Sequence, residues 1–129
     1  MKRFLFVLTV LLVANAGFAQ QKKATWKEMH DFHAVMSKTF HPAEEDNLQP
    51  LRDSAALLVT RAKAWQSSAV PEGYKADVTK PILKDLVKQC TTIQKAVKKG
   101  KADAELKVLI TKAHDIFHEI MEKCRDEKH

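Results

Sequence analysis

Two pairs of histidines carry the spacing of a metal site in this chain of 129 residues. His30 and His33 are three residues apart, and His114 and His118 are four residues apart. Side chains at these spacings share one face of an α-helix, so each pair can direct both imidazoles at one ion. Imidazole nitrogens suit Zn²⁺, Cu²⁺ and Ni²⁺, whereas Ca²⁺ and Mg²⁺ prefer oxygen ligands. The spacing therefore predicts a transition-metal site, provided that the two helices are neighbours.

Few residues in the chain break helices, and they separate four amphipathic segments. Apolar residues recur every three or four positions in each segment, as on the buried face of a helix, and no stretch alternates with a period of two. We therefore predict helices at residues 24–40, 51–67, 79–98 and 103–126. Helices of this length with short links are typical of an up-down-up-down four-helix bundle, which is an all-α fold.

The helix ends follow from the helix-breaking residues. His41 precedes Pro42, and because the residue before proline avoids the helical region, we expect helix 1 to stop there. Thr79 is a suitable N-cap for helix 3, with Pro81 in its first turn. Gly100 can adopt the left-handed conformation that ends helix 3. These ends set the register between the first and the last helix.

The predicted bundle places the two histidine pairs at nearly one level. At about 1.5 Å per residue, His30 and His33 lie about 9 and 13 Å from the bundle end that holds the start of helix 1. His118 and His114 lie about 12 and 18 Å from the same end. We therefore expect His33, His114 and His118 to converge as metal ligands in the seam between helices 1 and 4. His30 is an auxiliary ligand, and zinc is the metal that this set favours.

His41 is a separate candidate ligand at the far end of helix 1. It lies about 7 Å above His114 by the same count, and the acidic residues Glu44, Glu45 and Asp46 follow it. His41 could join the main site if helix 1 slides by more than a turn. It could instead form a small site with Glu45 or Glu44, so both arrangements stay open.

The first nineteen residues have the pattern of a signal peptide. A charged start with Lys2 and Arg3 precedes a run of ten mostly apolar residues, and Ala19 completes a small-residue motif for cleavage before Gln20. The run is too short to span a bilayer. We therefore predict one mature domain at residues 20–129, exported to the periplasm or secreted.

The two cysteines, Cys90 and Cys124, do not suit a disulfide in this bundle. Helices 3 and 4 turn near Gly100, so the two residues lie at levels that differ by about 14 residues, or roughly 20 Å. A disulfide requires Cα atoms within about 7 Å of each other. The chain also lacks the Cys-x-x-Cys-His motif of a covalent haem. We expect both cysteines to be buried thiols.

Charge and motif content narrow the classes of function. Without residues 1–19 the chain has 20 basic and 16 acidic residues, a mild net charge of +4. The lysines are spread along several segments, so nucleic acid is not an expected partner. We recognise no nucleophile with a base and no phosphate-binding loop, so an enzyme is not expected. A metal ion is the expected partner; a ligand-free interaction module is an alternative, and the oligomeric state is left open.

The last hairpin of the chain adds another alternative. It begins with Lys99-Gly100-Lys101-Ala102 and ends in a helix with Phe117-His118, and Met29 lies early in helix 1. This organisation resembles the four-helix haem-binding superfamily of cytochrome c-prime and the soluble periplasmic b-type cytochromes. The resemblance implies an electron-transfer protein with non-covalent haem b, ligated by Met29 and His118.

The chain departs from that superfamily in its histidines. His30, His33 and His114 lie at the level where the superfamily holds its haem, and the superfamily does not crowd that crevice with extra imidazoles. Helices 1 and 4 therefore favour a bare transition metal, and haem b is kept as the alternative cofactor.

Overall fold

The computed structural model describes residues 25–124, which form an all-α bundle of four helices. The helices are α1 Lys27–Glu44, α2 Gln49–Ser67, α3 Ala76–Lys98 and α4 Asp103–Lys123. Consecutive helices pack against each other, and α1 closes the bundle against α4. The predicted four-helix bundle is confirmed. The predicted signal peptide at residues 1–19 lies outside the described residues.

Each helix buries one stripe of side chains at the spacing that the sequence predicts. The stripes of α1 and α4 include Met29, Phe32, Met36 and Phe40 on one side and Leu106, Ile110, Ala113, Phe117 and Ile120 on the other. A cluster of aromatic rings fills the end of the bundle where α1 begins. There Trp26 meets Trp65 edge to face at 5.6 Å, and its Nε1 donates a hydrogen bond of 2.8 Å to Ser68 Oγ.

The expectation that helix 1 stops at His41 is wrong, because α1 continues through Pro42 to Glu44. Proline removes one amide donor and disfavours the helical region before it, but this cost is limited when it falls in the last turn. Ala43 is fully buried, which helps to hold that turn in place. The chain leaves the helix at Asp46, which has φ 63, and the Asn47 amide donates to the Pro42 carbonyl at 2.9 Å.

The start of helix 3 also differs from the prediction. Thr79 does not cap α3, because the helix begins three residues earlier, at Ala76, after Lys75. The Thr79 hydroxyl donates to the Lys75 carbonyl at 2.6 Å, and its side chain is buried. Pro81 accordingly lies inside α3. Thr79 is polar but buried, which the local sequence pattern does not reveal. Its burial places the start of α3 earlier than predicted.

The turn between α3 and α4 agrees with the sequence. Gly100 has φ 66, and its amide donates to the Val97 carbonyl at 3.0 Å. Arg52, at the start of α2, binds this turn by donating to the Lys101 carbonyl at 2.8 Å and to Asp103 at 2.7 Å. These two hydrogen bonds hold the turn between α3 and α4 against the start of α2.

The two thiols are buried and free. Cys90 lies in the middle of α3, and Cys124 follows α4, where its carbonyl accepts a hydrogen bond of 2.8 Å from the Lys75 amide. Within residues 25–124, no helix combines the length and the apolar character that crossing a bilayer requires.

Candidate functional site

The seam between α1 and α4 contains a continuous row of aromatic and imidazole rings, which we call the ring seam. Neighbouring ring centroids along the row are 5.1, 6.0, 4.4, 3.7 and 5.6 Å apart. The row runs in the order His33, Phe117, His118, His114, Phe40 and His41. Four of the six histidines in the chain therefore lie along one seam, although their rings are not all in contact with each other.

The closest imidazoles are those of His114 and His118. Their Nε2 atoms are 3.2 Å apart, and their ring planes are inclined by 70°. The two residues are separated by one turn on the flank of α4 that faces α1, so their side chains extend from the same side of the helix. His114 is half-buried and His118 is exposed. The pair is therefore open to solvent at one end and packed against the bundle at the other.

Two phenylalanines support the histidines. The His114 ring lies against Phe40 with 3.7 Å between centroids and 13° between planes, and the His33 ring lies parallel to Phe117 at 5.1 Å. Phe40 and Phe117 are buried, and each presents one ring face to an imidazole.

The spacing of apolar residues places Phe40 and Phe117 in the buried stripes of α1 and α4, where they do lie. That spacing does not show that their rings face imidazoles. The available signal is their position beside the histidines. Phe40 directly precedes His41, and Phe117 directly precedes His118, which places each ring at the border between the core and the α1–α4 seam.

Burial lowers the pKa of the His114 imidazole below its usual range, and the neighbouring His118 lowers it further. The carboxylates of Asp115 and Glu44 act in the opposite direction, and His41 adds a smaller lowering effect. The net direction favours the neutral ring. A neutral imidazole has a free nitrogen lone pair, which is the form that binds a metal ion.

The remaining predicted ligands differ in their relation to this pair. His41 is exposed near the end of α1 and is close enough to influence His114. Glu44 also acts on His114, whereas Glu45 is exposed after the helix and is not among the groups that do so. His30 is exposed on α1, and its ring makes no hydrogen bond with the part of the chain that the structure describes.

A complete metal site is not assembled in this conformation. Across residues 25–124, no three side chains of histidine, cysteine, aspartate or glutamate are grouped so that they could hold a metal ion. The His33 ring is stacked on Phe117 and does not form such a group with His114 and His118. A third protein ligand would therefore require a side-chain rotation on α1.

The two residues of the haem alternative have different environments. Met29 is buried, and its sulfur accepts a contact of 3.6 Å from the Tyr74 hydroxyl. His118 is exposed and lies beside His114. Haem ligation by Met29 and His118 would require the Tyr74 contact to open, and it stays a prediction.

Comparisons with models of protein families, with curated proteins and with solved structures give no match to this chain.

Proposed function

We propose that this chain is an exported metal-binding protein that holds a transition metal in the seam between α1 and α4. His114 and His118 are its first two ligands. The ion is Zn²⁺, Cu²⁺ or Ni²⁺, with zinc favoured. The role that fits such a small domain is the sequestration, sensing or delivery of the metal. Export rests on the predicted signal peptide at residues 1–19.

The separation of the two Nε2 atoms is the observation that supports this proposal most strongly. Zinc binds imidazole nitrogen at about 2.0–2.1 Å, so two such ligands at a tetrahedral angle are about 3.3 Å apart. The Nε2 atoms of His114 and His118 are 3.2 Å apart. The same distance fits a hydrogen bond between one protonated and one unprotonated nitrogen. Metal binding then replaces the proton that the two nitrogens share, and each ring turns so that its Nε2 lone pair points at the ion.

The surroundings of the pair favour binding at this place. The stacking of His114 on Phe40 holds the plane of the imidazole, which reduces the ordering that a metal would otherwise impose. The lowered pKa of His114 favours its neutral form. The exposure of His118 gives the ion a path of entry from solvent.

His41 is the best placed of the predicted ligands to complete the site. It is near enough to His114 to shift its pKa, whereas His33 is stacked on Phe117. Two or three protein ligands leave coordination positions open for water or for a ligand from another molecule. An open site of this kind suits reversible metal exchange, as delivery or sensing would require.

The test uses protein purified without a histidine tag, titrated with Zn²⁺, Cu²⁺ and Ni²⁺ in calorimetry and in competition with a chelator. We expect one ion per chain, a large loss of affinity in His118→Ala and in His114→Ala, and little change in the control variant His30→Ala. Equal affinity in all four proteins would contradict the proposal. A Soret band in the purified protein would instead favour haem b.

A further inference from the structure

Charge is distributed unevenly along the described residues. The segment 75–101, which contains α3, has eight lysines and two aspartates, a net charge of +6. The remainder of residues 25–124 has eight basic and twelve acidic residues, a net charge of −4. The described residues therefore contain two regions of opposite net charge, although the net charge of the whole chain is mild.

The helix gathers most of these lysines on one face, which we call the lysine face. At about 100° per residue, its members fall within about 100° of each other around α3, opposite the buried stripe that contains Leu86 and Ile93. From Lys80 to Lys99 the face is about 28 Å long. Its members are all exposed: Lys80, Lys84, Lys88, Lys95, Lys98 and Lys99.

No carboxylate of residues 25–124 forms a salt bridge with the lysine face. The four salt bridges of the described chain belong to Lys27, Arg52, Lys107 and Lys123. Open depressions lie at both ends of the face. One is lined by Lys80 and Lys84 with Gln66 and Pro81, and the other is lined in part by Lys95, Lys99 and Lys101.

We propose that the lysine face docks the protein on an anionic phospholipid surface. A straight row of lysines without arginine or aromatic side chains lacks the anchors that protein interfaces usually contain. It also lacks the stacking rings and the bidentate guanidinium groups of nucleic-acid sites. Flexible ammonium groups spread over such a length suit a surface of many phosphates, to which each lysine adds about a fivefold gain in binding.

The orientation that results keeps the ring seam accessible. In the up-down bundle α3 is diagonal to α1, and the two helices do not pack against each other. Contact of the outer side of α3 with a membrane therefore leaves the seam between α1 and α4 on a side that faces away from the lipid. The docked protein can still exchange ligands with solvent at His114 and His118.

The test measures co-sedimentation of the full chain with vesicles of phosphatidylglycerol and phosphatidylcholine, and with vesicles of phosphatidylcholine alone. The variant Lys80→Gln, Lys84→Gln, Lys88→Gln removes three charges from the lysine face. The matched variant Lys38→Gln, Lys63→Gln, Lys112→Gln removes three exposed charges elsewhere. All proteins share residues 1–24, so any binding by this segment is the same in each and cancels when the two variants are compared. Circular dichroism checks that each variant folds.

We expect the unaltered chain to bind the anionic vesicles. This binding should fall roughly 100-fold in the lysine-face variant and by much less in the matched variant. We also expect it to weaken steeply as ionic strength rises from about 0.05 to about 0.5 M. Equal losses in the two variants would overturn the proposal. Binding to polyglutamate or to duplex DNA in the absence of any binding to anionic vesicles would overturn it as well.

Discussion

The imidazole of His114 lies flat against the phenyl ring of Phe40, with 3.7 Å between the ring centroids and 13° between the ring planes. The contact connects a buried residue of the core, Phe40, to a proposed metal ligand, His114. The phenyl ring is buried and the imidazole is half-buried, so the contact limits the rotation of the ring that points its Nε2 toward His118.

The first prediction concerns this contact. Phe40→Leu removes the flat support of His114 and leaves both histidines in place. We expect the affinity for zinc to fall by roughly tenfold, as for other residues that orient a ligand, and the free energy of unfolding to fall by about 1 kcal/mol. Phe32→Leu is the matched control, because Phe32 is equally part of the core but does not contact the His114–His118 pair. If both variants bind zinc equally well, Phe40 has no positioning role.

The second prediction concerns the pKa of His114. Desolvation and His118 lower it, so the folded protein binds this proton less readily than the unfolded chain does. The contribution of His114 to the free energy of unfolding is therefore fully present above pH 6.5, the ordinary pKa of histidine. It is lost as the pH falls through the lowered pKa of the folded protein. His118→Gln should raise the pKa of His114, and Asp115→Asn should lower it further. Proton NMR titration of the His114 ring measures all three values, and shifts in the opposite directions would contradict this account.

The third prediction concerns the thiol in the middle of α3. Burial raises the pKa of Cys90 to about 12, so at pH 8 the thiolate is well under about one part in a thousand. In a Cys124→Ala chain, which keeps Cys90 alone, we expect a disulfide reagent to leave the native protein unlabelled and to label it fully in denaturant. Rapid labelling of the native variant would show that α3 does not bury this side chain as the structure has it.

The fourth prediction concerns the turn between α3 and α4. Gly100 has φ 66, and an added Cβ would meet no atom within 4 Å, so the effect of a substitution comes from the backbone conformation. Gly100→Ala should lower the free energy of unfolding by about 1 kcal/mol, and Gly100→Asn by less, because asparagine tolerates the left-handed region better than alanine does. Urea denaturation measures both, and no loss in the alanine variant would contradict the assigned turn.

Much of the fold can be predicted from the sequence, because the helical period and the few breakers carry most of the information. The buried stripes and the turn at Gly100 follow from that information. Two of the boundaries that differ from the prediction, at Pro42 and at Thr79, depend on tertiary packing. Burial of Ala43 supports one further turn after Pro42, and burial of Thr79 places it inside α3. Local preferences for helix ends do not contain that information.

Less of the candidate site can be predicted in this way. The spacing of His114 and His118 identifies a pair on one face, and the structure gives that pair a short Nε2 separation. Spacing on a helix gives the level and the direction of a residue but not its rotamer. The stacking of His33 on Phe117 depends on the rotamer of His33 and on the shape of the neighbouring helix.

The measurement that tests the central claim most directly is a zinc titration of the ¹⁵N-labelled protein, followed through the ring nitrogens of each histidine by long-range ¹⁵N–¹H NMR. The proposed site predicts that the Nε2 resonances of His114 and His118 both move to values typical of metal coordination, together and at one equivalent of zinc. Coordination shifts at other histidines, with the Nε2 resonances of His114 and His118 unchanged, would contradict the proposed site.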